Sequence, residues 1–187
     1  QTDMQEEFLF AGFGGQGVMF GGQLLAYAAL DAGKEVTWIP SYGPEMRGGT
    51  AHCFVVISDR PIGSPVVRHP TSALVFNRPS FDKYAPLVAP GGLLVVNSSL
   101  VPDTCERTDI TVLNVPATGI ADELGSLRVA NLILLGATLA ARPVLAVDVL
   151  KQALEAHIPA HRKDMLPMNY EAVDRGVASA REQLALA

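Results

Sequence analysis

The feature that most constrains the fold is a short apolar run that breaks into closely spaced glycines, residues 8–17, with the sequence FLFAGFGGQG. Gly12, Gly14 and Gly17 fit the spacing G-x-G-x-x-G. In that pattern the glycines permit a tight turn, a close approach of backbone to ligand and the packing of helix on strand. An uncharged segment follows, and Gly33 stands where the C-cap of a helix is expected. The pattern predicts a strand over 8–11, a loop, and a helix over about 17–32.

The identity of a ligand for this loop depends on the second strand, which is predicted over 35–40. A dinucleotide site of the NAD type uses an acidic residue at the end of that strand to hold the ribose 2′-hydroxyl. This strand ends in Pro40-Ser41-Tyr42, and Glu35 lies at its start, away from the ligand edge of a parallel sheet. NAD binding is therefore the less favoured interpretation of the glycine loop.

Composition excludes several other classes of function. A net charge of -5 provides no basic field for nucleic acid. The two cysteines, Cys53 and Cys105, form no C-x-x-C pattern, so we expect this chain alone to hold neither an iron-sulfur cluster nor a cysteine-rich zinc site. Residues 8–30 carry no charge, but their six glycines argue against a spanning helix. Without a signal-peptide pattern, we expect a cytoplasmic protein that contacts no membrane.

Strands and helices alternate along the rest of the chain. Strands are predicted over 51–58, 72–77, 93–97 and 109–115, and helices over 79–87, 119–123, 129–141, 147–155 and 168–184. This order predicts an α/β fold with a mostly parallel, doubly wound, Rossmann-like sheet and helices on both faces. Antiparallel strands remain possible around 51–67. We expect residues 1–187 to form a single domain.

A second candidate site is the loop over 40–50, which follows the second strand. It is unusually rich in glycine, proline and charged residues for a plain connection. It would lie near the glycine loop, at the carboxyl edge where open α/β sheets bind ligands. Arg47 is suited to a bidentate pair with phosphate or carboxylate, Glu45 to accepting a proton, and Gly48-Gly49 to close backbone approach. The alternative is a turn in which Glu45 and Arg47 pair with each other.

Other polar residues favour structural roles. His157 and His161 are four apart, but Pro159 interrupts the helix between them and no third metal ligand is evident. No histidine has a partner at the spacing of a hydrolase triad. Asn131 lies in an apolar helix, where we expect it to satisfy a buried backbone group, and Asn97 ends a strand as part of a turn.

Together, the glycine loop and the segment SYGPEMRGGTA over 41–51 resemble the gamma subunit of the 2-oxoacid:ferredoxin oxidoreductases. The resemblance extends through 62–65, 131–136 and 166–176, so it covers nearly the whole chain. The resemblance implies that residues 1–187 form a single gamma-type domain of the pyruvate/ketoisovalerate oxidoreductase group. The sequence over 38–50 is most similar to the 2-oxoglutarate type.

The resemblance implies a complex that oxidatively decarboxylates a 2-oxoacid to its acyl-CoA and passes two electrons to ferredoxin. Thiamine diphosphate, magnesium and iron-sulfur clusters would lie in partner subunits. Alpha and beta subunits are the expected partners, and whether a delta subunit is also present is left open. The gamma-type chain would be inactive alone, would pack against alpha and would contribute to coenzyme A docking. The residues expected at a ligand or subunit interface are Gly12, Gly14, Gly15, Gln16, Gly17, Tyr42, Glu45, Arg47, Gly48 and Gly49, with no catalytic or metal-binding residue.

Two alternatives remain open at this point. A free-standing dinucleotide-binding oxidoreductase would require tight binding of NAD or flavin. A pure assembly module would use the glycine loop for packing alone.

Overall fold

The structure, a computed structural model, describes residues 3–43 and 49–187. Its six strands are β1 (Gln5–Phe13), β2 (Glu35–Tyr42), β3 (Thr50–Ser58), β4 (Ser72–Val75), β5 (Leu93–Asn97) and β6 (Thr111–Val115). The helices are α1 (Val18–Asp31), α2 (Arg78–Tyr84), α3 (Ala117–Leu124), α4 (Ala130–Ala141), α5 (Val147–His157) and α6 (Leu166–Ala185). Short 3₁₀ helices span Ala85–Leu87, Leu127–Val129 and Ala160–Met165.

The strands form one sheet in the order β2-β3-β1-β4-β5-β6. β1, β4, β5 and β6 are parallel neighbours, whereas β3 is antiparallel to both β1 and β2. The mostly parallel α/β sheet is therefore confirmed, and the antiparallel strand falls in the range where the sequence left one open. The structure differs in placing β3 between β1 and β2, which a simple β-α-β unit would make neighbours.

β2 also extends two residues beyond its predicted end, through Pro40 to Tyr42. Proline lacks the N–H that a central strand must donate, but β2 is an edge strand, where proline is tolerated. Pro40 pairs with Cys53 on β3, and Tyr42 pairs with Ala51. The second loop therefore starts farther along the chain than the sequence pattern indicates.

The helices are distributed unequally over the two faces of the sheet. Residues of α1, α3, α4, α5 and α6 join one hydrophobic cluster with Phe8 and Phe10 of β1. The opposite face carries a smaller cluster around Leu9, Ala11 and Phe81, to which, among the described helices, α2 and the 3₁₀ helix that follows it contribute. Alternate residues of β1 therefore point into clusters of very different size. The sheet is covered by helices mainly on one side.

Two glycines allow α4 and α6 to cross at close range. A Cβ atom on Gly176 would lie 1.9 Å from the Ile133 carbonyl oxygen, and one on Gly136 would lie 2.2 Å from the Val173 carbonyl oxygen. Helices pack this closely only where small residues face each other, because a side chain would hold the backbones apart. The crossing fixes the N-terminal turns of both helices beside the glycine loop.

The other edge of the sheet is closed by a side chain. The Asn114 N–H donates to Gln183 Oε1 over 2.9 Å, and Gln183 Nε2 donates to the Asn114 carbonyl oxygen over 2.8 Å. The amide of Gln183 therefore stands in for a neighbouring strand at one position of β6. No helix of residues 3–43 and 49–187 combines the length and apolarity needed to cross a bilayer.

Candidate functional site

The glycine loop lies at the carboxyl end of β1, beside the end of β4. Gln16 folds back across this point: its Oε1 accepts the Phe13 N–H over 2.8 Å and the Asn77 Nδ2–H over 3.4 Å. A Cβ atom on Gly12 would lie 2.6 Å from that same oxygen. Gly12 therefore makes room for the side chain of Gln16, which joins the ends of the two strands.

Gly17 adopts a left-handed conformation, φ 76°, and allows α4 to approach the loop. Asn131 Nδ2 donates to the Gly17 carbonyl oxygen over 3.1 Å, and a Cβ atom on Gly17 would lie 2.4 Å from that nitrogen. The prediction that Asn131 satisfies a buried backbone group is confirmed. The close contact of helix with strand, expected at the third glycine, is made instead by Gly22, whose Cβ would lie 2.3 Å from Cys53 Sγ.

One hydrogen bond joins the two sequence motifs. The Gly14 N–H donates to the Gly49 carbonyl oxygen over 2.9 Å, and the Gly43 N–H donates to Thr50 over 2.7 Å. The second loop therefore closes the β2–β3 hairpin and touches the glycine loop with its end. Tyr42, the last residue of β2, is 71% exposed. The predicted site residues Glu45, Arg47 and Gly48 lie outside the described residues, as do Pro44 and Met46.

The remaining N–H donors of the loop have no acceptor among the described residues. Gly15 is exposed with φ 90°, and a Cβ atom there would meet no atom within 4 Å. Among the described residues, no acceptor bonds the N–H groups of Gly15, Gly17 or Val18, and no side chain caps α1. Unpaired N–H groups and the helix dipole make such an end attractive to anions.

A cavity of about 290 Å³ opens beside these donors. Its walls come from the glycine loop, the start of α4 and the segment leading into α6. They are formed by Gly15, Gly17, Phe20, Arg128, Val129, Asn131, Leu132, Ile158, Pro159, Arg162, Met165 and Asn169. The lining includes two arginines and no carboxylate. Sequence reasoning missed this cavity, since its residues are separated by up to 154 positions and share no motif.

The structure disfavours a ribose site of the NAD type. The acceptor would have to lie at the end of β2, where the chain has Tyr42 and not an acidic residue. Glu35, the first residue of β2, pairs with Ser58 at the opposite end of the strand from Tyr42. β3 also separates β2 from β1, so the end of β2 is one strand farther from the glycine loop than in the usual fold.

His157 and Cys53 are used in packing. His157 stacks on Tyr27 with ring centroids 4.3 Å apart, and its Nε2 lies 2.9 Å from Asp31 Oδ2. Burial raises the pKa of the Cys53 thiol to about 12. Both cysteines are free, and within the described ranges no group of three His, Cys, Asp or Glu side chains could hold a metal ion.

The uncovered side of β2 and β3 presents a mixed surface. Ile39 is 40% exposed, and next to it Phe54 packs only partly against the smaller cluster. His52 lies edge-on to Phe54 and near Tyr84, and burial, with the Lys83 ammonium nearby, lowers the pKa of its imidazole. An apolar patch with polar neighbours of this kind is typical of a protein-protein contact.

Comparison with known proteins agrees with this arrangement. The family described as pyruvate ferredoxin/flavodoxin oxidoreductase matches residues 7–179. The 2-oxoglutarate synthase subunit KorC of Methanocaldococcus jannaschii is 35% identical over 185 residues, 97% of each chain. The ketoisovalerate oxidoreductase subunit VorA of Methanothermobacter thermautotrophicus is 37% identical over 175 residues, 93% of this chain but 36% of that protein.

Solved structures share the fold. The gamma subunit of a keto/oxoacid ferredoxin oxidoreductase from Geobacter sulfurreducens is 28% identical with a TM-score of 0.81, covering 95% of this chain and 99% of that one. The 2-oxoglutarate:ferredoxin oxidoreductase of Magnetococcus marinus, solved with 2-oxoglutarate, coenzyme A and succinyl-CoA, is 24% identical with a TM-score of 0.87, covering 95% of this chain and 31% of that one. The two joined loops and these similarities lead to one conclusion: the chain belongs to the pyruvate ferredoxin/flavodoxin oxidoreductase family and is similar, over nearly its full length, to the gamma subunits within it.

Proposed function

We propose that this chain is the gamma subunit of a thiamine-diphosphate-dependent 2-oxoacid:ferredoxin oxidoreductase, with 2-oxoglutarate as the favoured 2-oxoacid. The complex would decarboxylate the 2-oxoacid, transfer the acyl group to coenzyme A and pass two electrons to ferredoxin. The observation that carries this proposal is the hydrogen bond from Gly14 to Gly49, which joins the two motifs of the family at one edge of the sheet. The 35% identity to a 2-oxoglutarate synthase subunit of matching length favours 2-oxoglutarate, since a pyruvate oxidoreductase subunit of matching length is 26% identical.

The chain itself would contribute assembly and docking, and no catalytic group. No group of three His, Cys, Asp or Glu side chains among its described residues could hold a metal ion, and both cysteines are free. Thiamine diphosphate, magnesium and the iron-sulfur clusters would be held by the alpha and beta subunits, with delta as a further partner, and ferredoxin would accept electrons from the complex. Coenzyme A would approach the joined loops, where Gly14, Gly15, Tyr42 and Gly49 lie at the edge of the sheet.

The uncovered side of β2 and β3 would be the contact with the alpha subunit. Ile39 is the most exposed apolar side chain on the middle of this surface, so Ile39→Lys should prevent partner subunits from copurifying. Leu30→Lys, at an exposed position on the last turn of α1, introduces the same charge on a different element and should leave assembly intact. Loss of partners with both variants, or with neither, would contradict this placement of the interface.

The function is tested by purifying the tagged chain anaerobically from its native cells and measuring viologen reduction that depends on both a 2-oxoacid and coenzyme A. Copurifying subunits, with activity highest on 2-oxoglutarate, are the expected result. The isolated chain should show no turnover. A chain that emerges alone and binds NAD or flavin tightly would replace this proposal with a free-standing dinucleotide-binding oxidoreductase.

A pure assembly module can be distinguished from a coenzyme A docking subunit by the KM of the complex for coenzyme A. Gly14→Val would place a branched side chain where the joined loops meet, since a Cβ atom there already lies 3.8 Å from the Gly49 carbonyl oxygen. If the loops dock coenzyme A, the intact variant complex should have a raised KM for coenzyme A and an unchanged KM for the 2-oxoacid. A complex that assembles poorly but uses coenzyme A normally would favour the assembly role.

A further inference from the structure

We propose that the free edge of β2 pairs with β2 of a second copy of this chain, so that two six-stranded sheets join into one. β2 is the last strand of the sheet and pairs only with β3. At the other edge of the sheet Gln183 closes β6, whereas no side chain of residues 3–43 or 49–187 does the same for β2. An edge of this length, eight residues, is a template for another strand. The inference concerns the isolated chain and does not rest on the proposed function.

The ladder between β2 and β3 determines which backbone groups face the free edge. Hydrogen-bonded and non-hydrogen-bonded pairs alternate in an antiparallel ladder. The Gly43 N–H donates to the Thr50 carbonyl oxygen over 2.7 Å, one position beyond the last residue of β2. The even-numbered residues of β2 therefore lie in non-hydrogen-bonded pairs with β3, and their backbone groups point outward. These residues are Val36, Trp38, Pro40 and Tyr42.

One register satisfies every outward N–H group. A two-fold axis at Ile39 places Val36 of one copy opposite Tyr42 of the other, and this pair exchanges both of its N–H groups. The same axis places Trp38 opposite Pro40. The Trp38 N–H then donates to the Pro40 carbonyl oxygen, and Pro40 has no N–H to leave unpaired. No other antiparallel register pairs all three N–H groups within β2.

This register also matches apolar side chains with one another. Ile39, which is 40% exposed, would lie directly opposite Ile39 of the second copy. On the other face, Trp38 would pack beside Pro40, and Val36 beside Tyr42, which is 71% exposed. Cross-strand pairs of aromatic and aliphatic side chains are the contacts that stabilise antiparallel sheets. The exposed apolar side chains of β2 therefore become buried in pairs.

The polar side chains of β2 fit the same register. Thr37 Oγ1 is buried and has no hydrogen-bond partner among the described residues. The second copy would place the Ser41 hydroxyl directly opposite Thr37, and hydroxyl pairs of this kind hydrogen-bond across strands. Glu35 would lie opposite Gly43, so no carboxylate faces another carboxylate. The edge is thus complementary to itself in hydrogen bonding and in charge.

The first test is sedimentation equilibrium of the isolated full chain, combined with hydrogen exchange. The chain should form a dimer of twice 19.8 kDa that dissociates on dilution. The amides of Val36, Trp38 and Tyr42 should exchange slowly in the dimer and faster in the dilute chain, because only the dimer protects them. A chain that remains monomeric, or a dimer in which these three amides exchange as fast as in the monomer, would overturn the proposal.

Disulfide trapping tests the register. With Cys105→Ser as the background, Ile39→Cys should form a disulfide-linked dimer under mild oxidation, because the two Cα atoms of a non-hydrogen-bonded pair lie about 4.5 Å apart. The matched control is Ser41→Cys on the same strand, whose copy would lie four residues away, about 13 Å and beyond the roughly 7 Å limit of a disulfide. Ser41→Cys should link only when mixed with Thr37→Cys. Equal linking by Ile39→Cys and Ser41→Cys alone would refute this register.

A charge at the axis should separate the two copies. Ile39→Asp places two carboxylates opposite each other and should weaken the dimer at least about tenfold. Val66→Asp, which puts the same charge at an apolar position that is 67% exposed outside the sheet, should change dimerisation less than twofold. If the isolated chain is monomeric and the three amides become protected only in the complex with partner subunits, the edge belongs to a strand of a partner, and pairing between copies is rejected while the oxidoreductase activity is unaffected.

Discussion

The crossing of α4 over α6 gives a stability prediction whose sign is opposite to the usual rule. Replacing glycine by alanine inside a helix ordinarily stabilises it by about 1 kcal/mol. In Gly176→Ala the new Cβ atom would lie 1.9 Å from the Ile133 carbonyl oxygen and 3.0 Å from the Ala137 nitrogen. Both are backbone atoms, so no side chain can rotate away and the two helices must separate.

The magnitude follows from the balance of these two effects. Overpacking of a well-packed core costs roughly 1–3 kcal/mol, and more where backbone must move. With a backbone overlap of more than 1 Å we expect a cost of about 3–4 kcal/mol, and the gain in helix propensity of about 1 kcal/mol leaves a net loss of about 2–3 kcal/mol. For a chain of this length that loss lowers the midpoint of thermal unfolding by roughly 4–12 °C.

A matched control is available in α3. A Cβ atom on Gly119 would meet nothing closer than Ser99 Oγ at 3.6 Å, an ordinary contact. Gly119→Ala should therefore raise stability by up to about 1 kcal/mol. The assay is urea unfolding followed by circular dichroism, with the m-value checked for two-state behaviour. A Gly176→Ala chain as stable as the Gly119→Ala chain would refute the close crossing of the two helices.

Three further predictions concern the loop, the thiols and the sheet edge. Gly17→Ala should cost about 2–3 kcal/mol in urea unfolding, since a left-handed alanine costs roughly 1–2 kcal/mol and its Cβ also displaces the asparagine of α4. Gly14→Ala, whose Cβ would make only an ordinary contact at 3.8 Å, should stay within about 0.5 kcal/mol; equal effects would contradict the loop geometry. Because burial raises the pKa of Cys53 to about 12, a thiol reagent at pH 8 should label only the other cysteine in the folded chain and both in denaturant; labelling of both in the folded chain would contradict its burial. Gln183→Leu should remove about 1 kcal/mol and speed hydrogen exchange at the Asn114 amide, whereas unchanged exchange there would mean that the side chain does not protect the edge.

Local pattern predicted most elements of this fold. The strand, the glycine loop and α1 follow from residues adjacent in sequence, and so does the end of α1 at Gly33, which has φ 80°. β5 and α4 were also predicted within one residue of their observed bounds. These elements depend on periodicity and on helix-ending glycine, both of which are local properties.

The order of the strands was beyond local pattern. β1, α1 and β2 have the spacing of a β-α-β unit whether or not another strand lies between β1 and β2. Pairing of β3 with both of them depends on side chains far apart in sequence, such as Phe10 opposite Cys53. Ile39 of β2 is exposed on the side of the sheet that few helices cover. The sequence alone could not distinguish that side from a buried one.

The candidate site was predicted only in part, because some of its contacts also join residues far apart in sequence. The meeting of the two motifs is confirmed at Gly14 and Gly49, since both follow strands that end at one edge. The glycine spacing indicated a tight turn, the approach of a ligand and the packing of helix on strand, whereas in the structure Gly12 faces Gln16 and Gly17 faces Asn131. The cavity depends on residues brought together by the crossing of α4 and α6, which no local spacing encodes.

The position of β3 has a consequence for the order in which the chain can fold. β2 and β3 form a hairpin between neighbouring segments, so their pairing closes a short loop and can occur within microseconds. β1 must then insert beside β3 with Phe13 opposite Thr50, 37 residues away, before Gly14 can reach Gly49. Contacts of long sequence separation form late, because loop closure precedes their gain. The joined loops should therefore acquire native structure after the hairpin that carries one of them, and before β1 pairs with β4, where Phe8 and Ser72 are 64 residues apart.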